Sequence, residues 1–165
     1  MFLVLGQEFA KDRANGNTEQ KFWTIVQSNK EARDVLYFTA QECTECYACR
    51  LKCSFVKEKE YNPAKARLGI DGKWPRLPEL KNCRQCKKPA CVEVCPVTAL
   101  TQAEDGVIAV DYDLCTECGL CVEACPFDAV LTFEGKIHIC DTCNGEYHCT
   151  KVCSTGAISR ERRSK

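Results

Sequence analysis

Sixteen cysteines stand in four groups of four: Cys43, Cys46, Cys49 and Cys53; Cys83, Cys86, Cys91 and Cys95; Cys115, Cys118, Cys121 and Cys125; Cys140, Cys143, Cys149 and Cys153. No other feature constrains the chain as tightly. The first and third groups are spaced C-x2-C-x2-C-x3-C, the second C-x2-C-x4-C-x3-C and the fourth C-x2-C-x5-C-x3-C. Prolines follow the second and third groups, at Pro96 and Pro126. Without the cysteines, apolar residues make up only about 35% of the 165-residue chain, which is low for a globular core. Something besides aliphatic packing has to hold the fold. Cysteine at this density reads as a disulfide scaffold, as zinc sites or as iron–sulfur clusters.

Spacing separates the three. Structural zinc takes cysteines in pairs, one C-x2-C from each of two knuckles, whereas here they come as a triplet plus one, four times over. A disulfide scaffold suits an exported chain. The start, Met1 to Glu8, has neither a basic n-region nor an apolar run long enough for a signal. The Arg162-Arg163 pair lies at the wrong end for a twin-arginine signal, and no window approaches the length of a membrane span. The chain therefore reads as soluble and cytoplasmic, unless a signal-bearing partner exports it.

The triplet-plus-one run is that of bacterial ferredoxins with paired [4Fe–4S] clusters. A cubane has four iron corners, each needing a thiolate. Three cysteines on a tight loop wrap three corners, and the loop's N–H groups face the cluster's negative charge. The fourth cysteine points away and ligates the neighbouring cluster. Proline after it stops the helix.

The motifs lie in an internal repeat. Cys91 to Leu100, Cys121 to Val130 and Cys149 to Ile158 each run through the fourth cysteine and a short turn into Ala and an aliphatic residue. Gly106–Tyr112 alternates and is β-branched, and predicts a strand entering the third motif. Ala129–Phe133 and Ile137–Ile139, separated by Glu134-Gly135-Lys136, predict a hairpin leaving it. Arg33–Phe38 predicts a strand before the first motif, and helices should be short. The class is α+β: two nested two-cluster ferredoxin-like units, rich in loop.

The second and third motifs form an inner unit over 78–134. The first and fourth bracket it as an outer unit over 35–77 plus 135–158. Spacing favours this nesting without excluding another pairing. On it, Cys83, Cys86 and Cys91 share a cluster with Cys125, and Cys115, Cys118 and Cys121 share one with Cys95. Cys43, Cys46 and Cys49 share one with Cys153, and Cys140, Cys143 and Cys149 share one with Cys53. All sixteen are then iron ligands, and the cofactors are four [4Fe–4S] clusters.

The same pattern, from Val35 to Ile158, resembles the four-cluster polyferredoxin subunits of redox complexes, such as those of dimethyl sulfoxide reductase, formate dehydrogenase and hydrogenase. The nested pairing is also that family's arrangement. Cys53-Ser54-Phe55, Tyr61-Asn62-Pro63-Ala64-Lys65-Ala66-Arg67-Leu68 and the compact fourth motif are most similar to small subunits accompanying tungsten enzymes of the aldehyde ferredoxin oxidoreductase family. That branch includes the aryl-CoA reductases. The resemblance implies a large tungsten- or molybdenum-pterin catalytic partner, and anaerobic metabolism. A soluble donor, a flavin- or NAD-bearing or other redox module, or a further copy of the chain, would stand at the other end. A free-standing polyferredoxin carrier, and a subunit of a hydrogenase, carbon monoxide dehydrogenase or formate dehydrogenase complex, are the alternatives.

Net charge is zero, from 23 basic and 23 acidic residues, which argues against nucleic acid. There is no phosphate loop, H-E-x-x-H or nucleophile elbow. The chain reads as a non-catalytic electron-transfer subunit. His138 and His148 flank the fourth motif but are not needed as ligands. Ser154 stands where the second and third motifs have proline, and restores an N–H expected to tune an outer cluster. Lys57-Glu58-Lys59-Glu60 reads as a solvated turn, and 159–165 as a frayed basic tail. Residues 1–34 form an extension with Phe22, Trp23, Ile25 and Val26. Its apolar residues, with Val35 and Leu36, cover the outer unit or serve as a docking arm.

Overall fold

The residues after each cysteine run decide how far it stays helical. We describe residues 34–72 and 74–162 in a computed structural model. Four helices carry the third cysteine of each motif: α1 (Ala48–Glu58), α2 (Ala90–Glu93), α3 (Leu120–Glu123) and α4 (His148–Lys151). The last three have four residues each. Pro96 and Pro126 follow α2 and α3, where a ring in place of the N–H stops helical bonding. After α4, Ser154 takes the place of proline, and Gly156 turns the chain at φ 73°, as Thr98 and Asp128 do after α2 and α3. Neither device follows Cys53, so α1 runs on for eleven residues. This is longer than the sequence predicts.

Among the described residues eight strands form four antiparallel pairs. Strand β1 (Asp34–Phe38), before the first motif, pairs with β8 (Ile158–Arg162), after the fourth. Strand β4 (Leu100–Gln102), after the second motif, pairs with β5 (Ile108–Val110), before the third. Strands β2 (Gly69–Asp71) and β3 (Glu79–Lys81) pair ahead of the second motif, and β6 (Leu131–Phe133) and β7 (Lys136–His138) pair between the third and fourth. The β6–β7 turn holds Glu134 at φ 50° and Gly135 at φ 81°, the two positive angles of the turn that suits strand twist.

Strands predicted from the sequence are present but shorter. The predicted Gly106–Tyr112 strand shrinks to Ile108–Val110 because Gly106 turns the chain at φ 80° and Asp111 Oδ1 accepts the N–H groups of Asp113 and Leu114. Ala129 and Val130 belong to the turn after Cys125 rather than to β6. Arg160 and Arg162 are not in a frayed tail. They lie in β8, and both guanidinium groups reach the Asp34 carboxylate. Lys57 is no solvated turn residue either: it lies in the last turn of α1, and its Nζ is 2.7 Å from Asp141. The stretch 1–33, with Phe22, Trp23, Ile25 and Val26, lies outside the described residues, while Leu36 is buried.

Two small cores result. One gathers Leu36, Leu68, Ile70, Tyr147 and Ile158 with Cys49, Cys53, Cys140 and Cys149. The other gathers Leu100, Ile108, Val130, Ile137 and Ile139 with Cys91 and Cys121. Cys83 packs against both. In the first core α1 packs on α4, and beside the second α2 packs on α3. Among the described residues no helix is long and apolar enough to cross a membrane.

Candidate functional site

Each motif is bent by left-handed residues at the same places. The residue before the second cysteine has positive φ in all four: Glu45, Gln85, Glu117 and Thr142. So does the residue three past the fourth cysteine at Thr98, Asp128 and Gly156. Such alternation aims successive N–H groups into a concave face that suits an anion. The backbone N–H of Gln85 meets the Cys83 sulfur, and that of Thr142 meets the Cys140 sulfur.

The motifs come together in crossed pairs. One cavity is lined by Cys83, Cys86 and Cys91 from the second motif and Cys125 from the third. Another holds Cys140, Cys143 and Cys149 with Cys53. A third holds Cys43, Cys46 and Cys49 with Cys153. For the remaining set, Cys115 and Cys118 are among the charges that raise Cys121, after burial, and Cys95 and Cys115 pack against the same core as Cys121. Apolar side chains share the walls, Pro126, Ala129 and Ile139 at the first cavity and Leu36, Leu68 and Tyr147 at the second, where Lys57, Arg67 and Asp141 also reach the lining. Among the described residues no three Cys, His, Asp or Glu side chains converge closely enough to hold a single ion. Four thiols around an apolar cavity fit a group with several metal corners.

Burial raises seven of the thiols, Cys53, Cys91 and Cys121 among them. It pushes Cys49 and Cys83 up to about 11 and Cys149 up to about 12, and raises Cys140 further. Two fourth-position cysteines behave differently. Burial raises Cys95, but the N–H groups of Leu100, Val97, Ala99 and Thr98 outweigh it and leave the thiol lowered. At Cys153 the donors that outweigh burial are Ile158, Thr155 and Gly156. These donors to Cys153 lie beyond Ser154, in the turn and at the start of β8. Cys125 accepts from Ala129 at 3.4 Å. Cys53 accepts from Arg67, fourteen residues on, at 3.3 Å. Ala66 and Leu68, each 1% exposed, flank Arg67 and are buried like Ala99 and Leu100 after the second motif. The long helix α1 displaces this turn, and the repeat is therefore invisible in sequence alignment of the copies.

Sequence reading also missed the groups that tie the motifs to one another. Asp141 accepts from Lys57 Nζ at 2.7 Å, Arg67 Nη1 at 2.8 Å and the Cys143 N–H at 3.1 Å. Burial pushes its carboxyl up, but those cations and donors prevail and hold it below the usual range. The Gln85 amide donates to the Cys140 carbonyl at 2.6 Å and accepts from the Ile108 N–H at 2.9 Å. His138 is buried in β7, and burial lowers its imidazole. Its Nδ1 has no hydrogen-bond partner among the described residues, and neither it nor His148 joins a metal-holding group there.

Comparison with known proteins agrees with this geometry. Residues 73–163 match the 4Fe-4S dicluster domain. The chain is 34% identical over 133 residues to the beta subunit of the NADH-dependent phenylglyoxylate dehydrogenase of Aromatoleum evansii, covering 77% of this chain but 30% of that one. It is 31% identical over 121 residues to the polyferredoxin-like subunit of the aliphatic sulfonate oxidoreductase of Pyrococcus furiosus, covering 72% and 70%. The BamBC active site complex of benzoyl-coenzyme A reductase superposes with a TM-score of 0.46 at 20% identity, over 81% of this chain and 82% of that one. The chain belongs to the 4Fe-4S dicluster family of iron–sulfur electron-transfer subunits, binding more than one [4Fe–4S] cluster.

Proposed function

We propose that this chain relays electrons through four [4Fe–4S] clusters to or from a large catalytic subunit, a tungsten- or molybdenum-pterin oxidoreductase of the aldehyde-oxidoreductase or aryl-CoA-reductase type. The observation that carries the reading is the crossed cysteine lining of the cavities. Each takes three cysteines from one motif and the fourth from a second motif, as nested two-cluster units require. The pairing of β1 with β8 and of β4 with β5 supports the same nesting. Bound clusters supply one-electron transfer; the chain's residues hold them, exclude water and set their order.

That order follows from neighbouring thiols. Among the charges that raise Cys149, after burial, is Cys49, so the Cys43 quartet lies beside the Cys53 quartet. Gln85 bonds to the Cys140 carbonyl and Cys83 packs on both cores, which sets the Cys83 quartet next. Cys91 is among the charges that raise Cys121, placing the Cys115 quartet last. The result is a linear relay. Its two ends carry the exposed cysteines among the described residues, Cys46 and Cys118.

The partner reading draws on the relatives, which are named as subunits of a phenylglyoxylate dehydrogenase and a sulfonate oxidoreductase. The test is element analysis of the native protein purified anaerobically without a tag. About sixteen iron per chain with tungsten or molybdenum supports the proposal. Nickel moves it to hydrogenase or carbon monoxide dehydrogenase complexes, and iron alone to a free carrier. Zinc without iron overturns the cluster reading.

A further inference from the structure

The two ends of the relay differ in charge. Between Pro89 and Gly135 the chain carries nine acidic residues and no lysine, arginine or histidine. All nine are exposed: Glu93, Glu104, Asp105, Asp111, Asp113, Glu117, Glu123, Asp128 and Glu134. Among the described residues only Asp128 is in an ion pair, with Lys81 at 3.6 Å. A chain of zero net charge has thus gathered a one-signed surface on one segment.

That segment contains the Cys115–Cys118–Cys121 loop. Asp113, Glu117 and Glu123 flank the exposed Cys118 in sequence. The β6–β7 turn closes in from the side: a Cβ placed on Gly135 would come within 2.8 Å of the Glu117 carboxylate, which sets Glu134 next to Glu117. Leu114 and Leu120, 52% and 41% exposed, stand on either side of Cys118 in the loop. Of the bases around this segment, Lys65 is paired with Glu60 at 2.6 Å, Arg67 with Asp141 at 2.8 Å and Lys81 with Asp128 at 3.6 Å, and Lys136 follows the turn. An exposed ligand, two apolar side chains and a border of carboxylates make a contact face suited to a cationic rim. The Cys46 end is unlike it. There Glu42 and Glu45 mix with Arg50 and Lys52, and the carboxylate of Glu45 lies against Gly72, two residues from the 96% exposed Trp74.

We propose that the face around Cys118 docks a diffusing redox protein whose own surface carries a ring of lysines and arginines, in a transient complex steered by charge. The proposal rests on the relay reading above. One electron passes from the reduced protein to one oxidised centre of the partner, which is reduced by one electron; no bond forms or breaks. Oppositely charged faces raise encounter rates by roughly 10- to 1000-fold at low salt, and added salt screens the effect.

The test uses the native protein with whatever subunits accompany it, reduced and freed of excess reductant. It is mixed by stopped flow with three oxidants: the basic haem protein cytochrome c, cationic hexaammineruthenium(III) and anionic iron(III)–EDTA. The expected result is that both cationic oxidants react about tenfold or more slowly at high salt than at low salt, while the anion gains. The variant Asp113→Asn/Glu117→Gln/Glu123→Gln should lose about tenfold with the cationic oxidants at low salt and show a flattened salt dependence, with no loss toward iron–EDTA. A shift in cluster potential would instead move all three oxidants the same way, and would overturn the proposal. So would equal salt dependence for cation and anion, or the same loss from Glu42→Gln/Glu45→Gln. If the triple variant loads too little iron, the opposite salt slopes of the unaltered protein decide. No electron transfer to any oxidant overturns the relay reading itself.

Discussion

Gln85 is 4% exposed and joins two parts of the chain that lie 55 residues apart. Its amide satisfies the Cys140 carbonyl and the Ile108 N–H in one place. Gln85→Ala leaves both groups without that partner and should cost about 2–6 kcal/mol, since each buried unsatisfied group costs about 1–3. The check is thermal unfolding of the iron-loaded protein, with a loss well under 1 kcal/mol counting against the bridging role. Cys125 makes a sharper prediction. It lines the cavity of Cys83, Cys86 and Cys91, so Cys125→Ser should perturb that cluster before the one on its own motif. Iron content with magnetic spectroscopy would show the order, and the reverse order would undo the pairing. The thiols set a pH dependence as well. Burial raises Cys49 and Cys83 to about 11 and Cys149 to about 12, so each is a protonated thiol at neutral pH in the metal-free site and must release its proton to bind iron. Reconstitution at pH 6.5 should therefore load less iron than at pH 8.5, and equal loading would contradict this.

Among the elements, the terminal strand pair is half hidden in the sequence, where β8 reads as a tail. Strand β8 carries Ile158, 3% exposed, at its start and arginines beyond. Its partner β1 begins at Asp34, which receives Arg160 and Arg162. The Tyr147 hydroxyl donates to the Asp34 carbonyl at 2.7 Å, and the Arg160 guanidinium sits 5.0 Å from the Tyr147 ring centroid. Ile158→Ala should cost about 2–4 kcal/mol through the cavity it leaves. Asp34→Ala should cost far less, because the arginines are solvent-exposed and such pairs are screened. Denaturation of the two variants side by side checks the ranking. A basic run such as Arg160-Glu161-Arg162 gives no local sign of pairing, since its partner strand lies at Asp34–Phe38, near the other end of the described chain. The hairpin β6–β7 was legible for the opposite reason: Glu134-Gly135 supplies its turn locally.

For the whole molecule, cysteines stand in both cores where aliphatic residues would ordinarily stand. Strands of three to five residues and helices of mostly four cannot hold such cores by their own propensity. Stripping iron with a chelator under anaerobic, reducing conditions should therefore unfold the chain, with loss of far-ultraviolet circular dichroism. Retention of the spectrum would mean the aliphatic cores suffice. The amino-acid sequence determined the metal chemistry by itself: a thiolate can bind iron only where a cysteine stands, and triplet-plus-one spacing bends a short loop around three corners of a cubane. The left-handed turns, the breaks at Pro96 and Pro126 and the β6–β7 hairpin are equally local. Tertiary structure alone decided which cysteines line each cavity, how Arg67 serves Cys53 across an inserted helix, and where Gln85 and Asp141 tie one motif to another. These features join residues far apart in the chain. Their energies come from burial and from charges brought close in space, which sequence spacing does not encode.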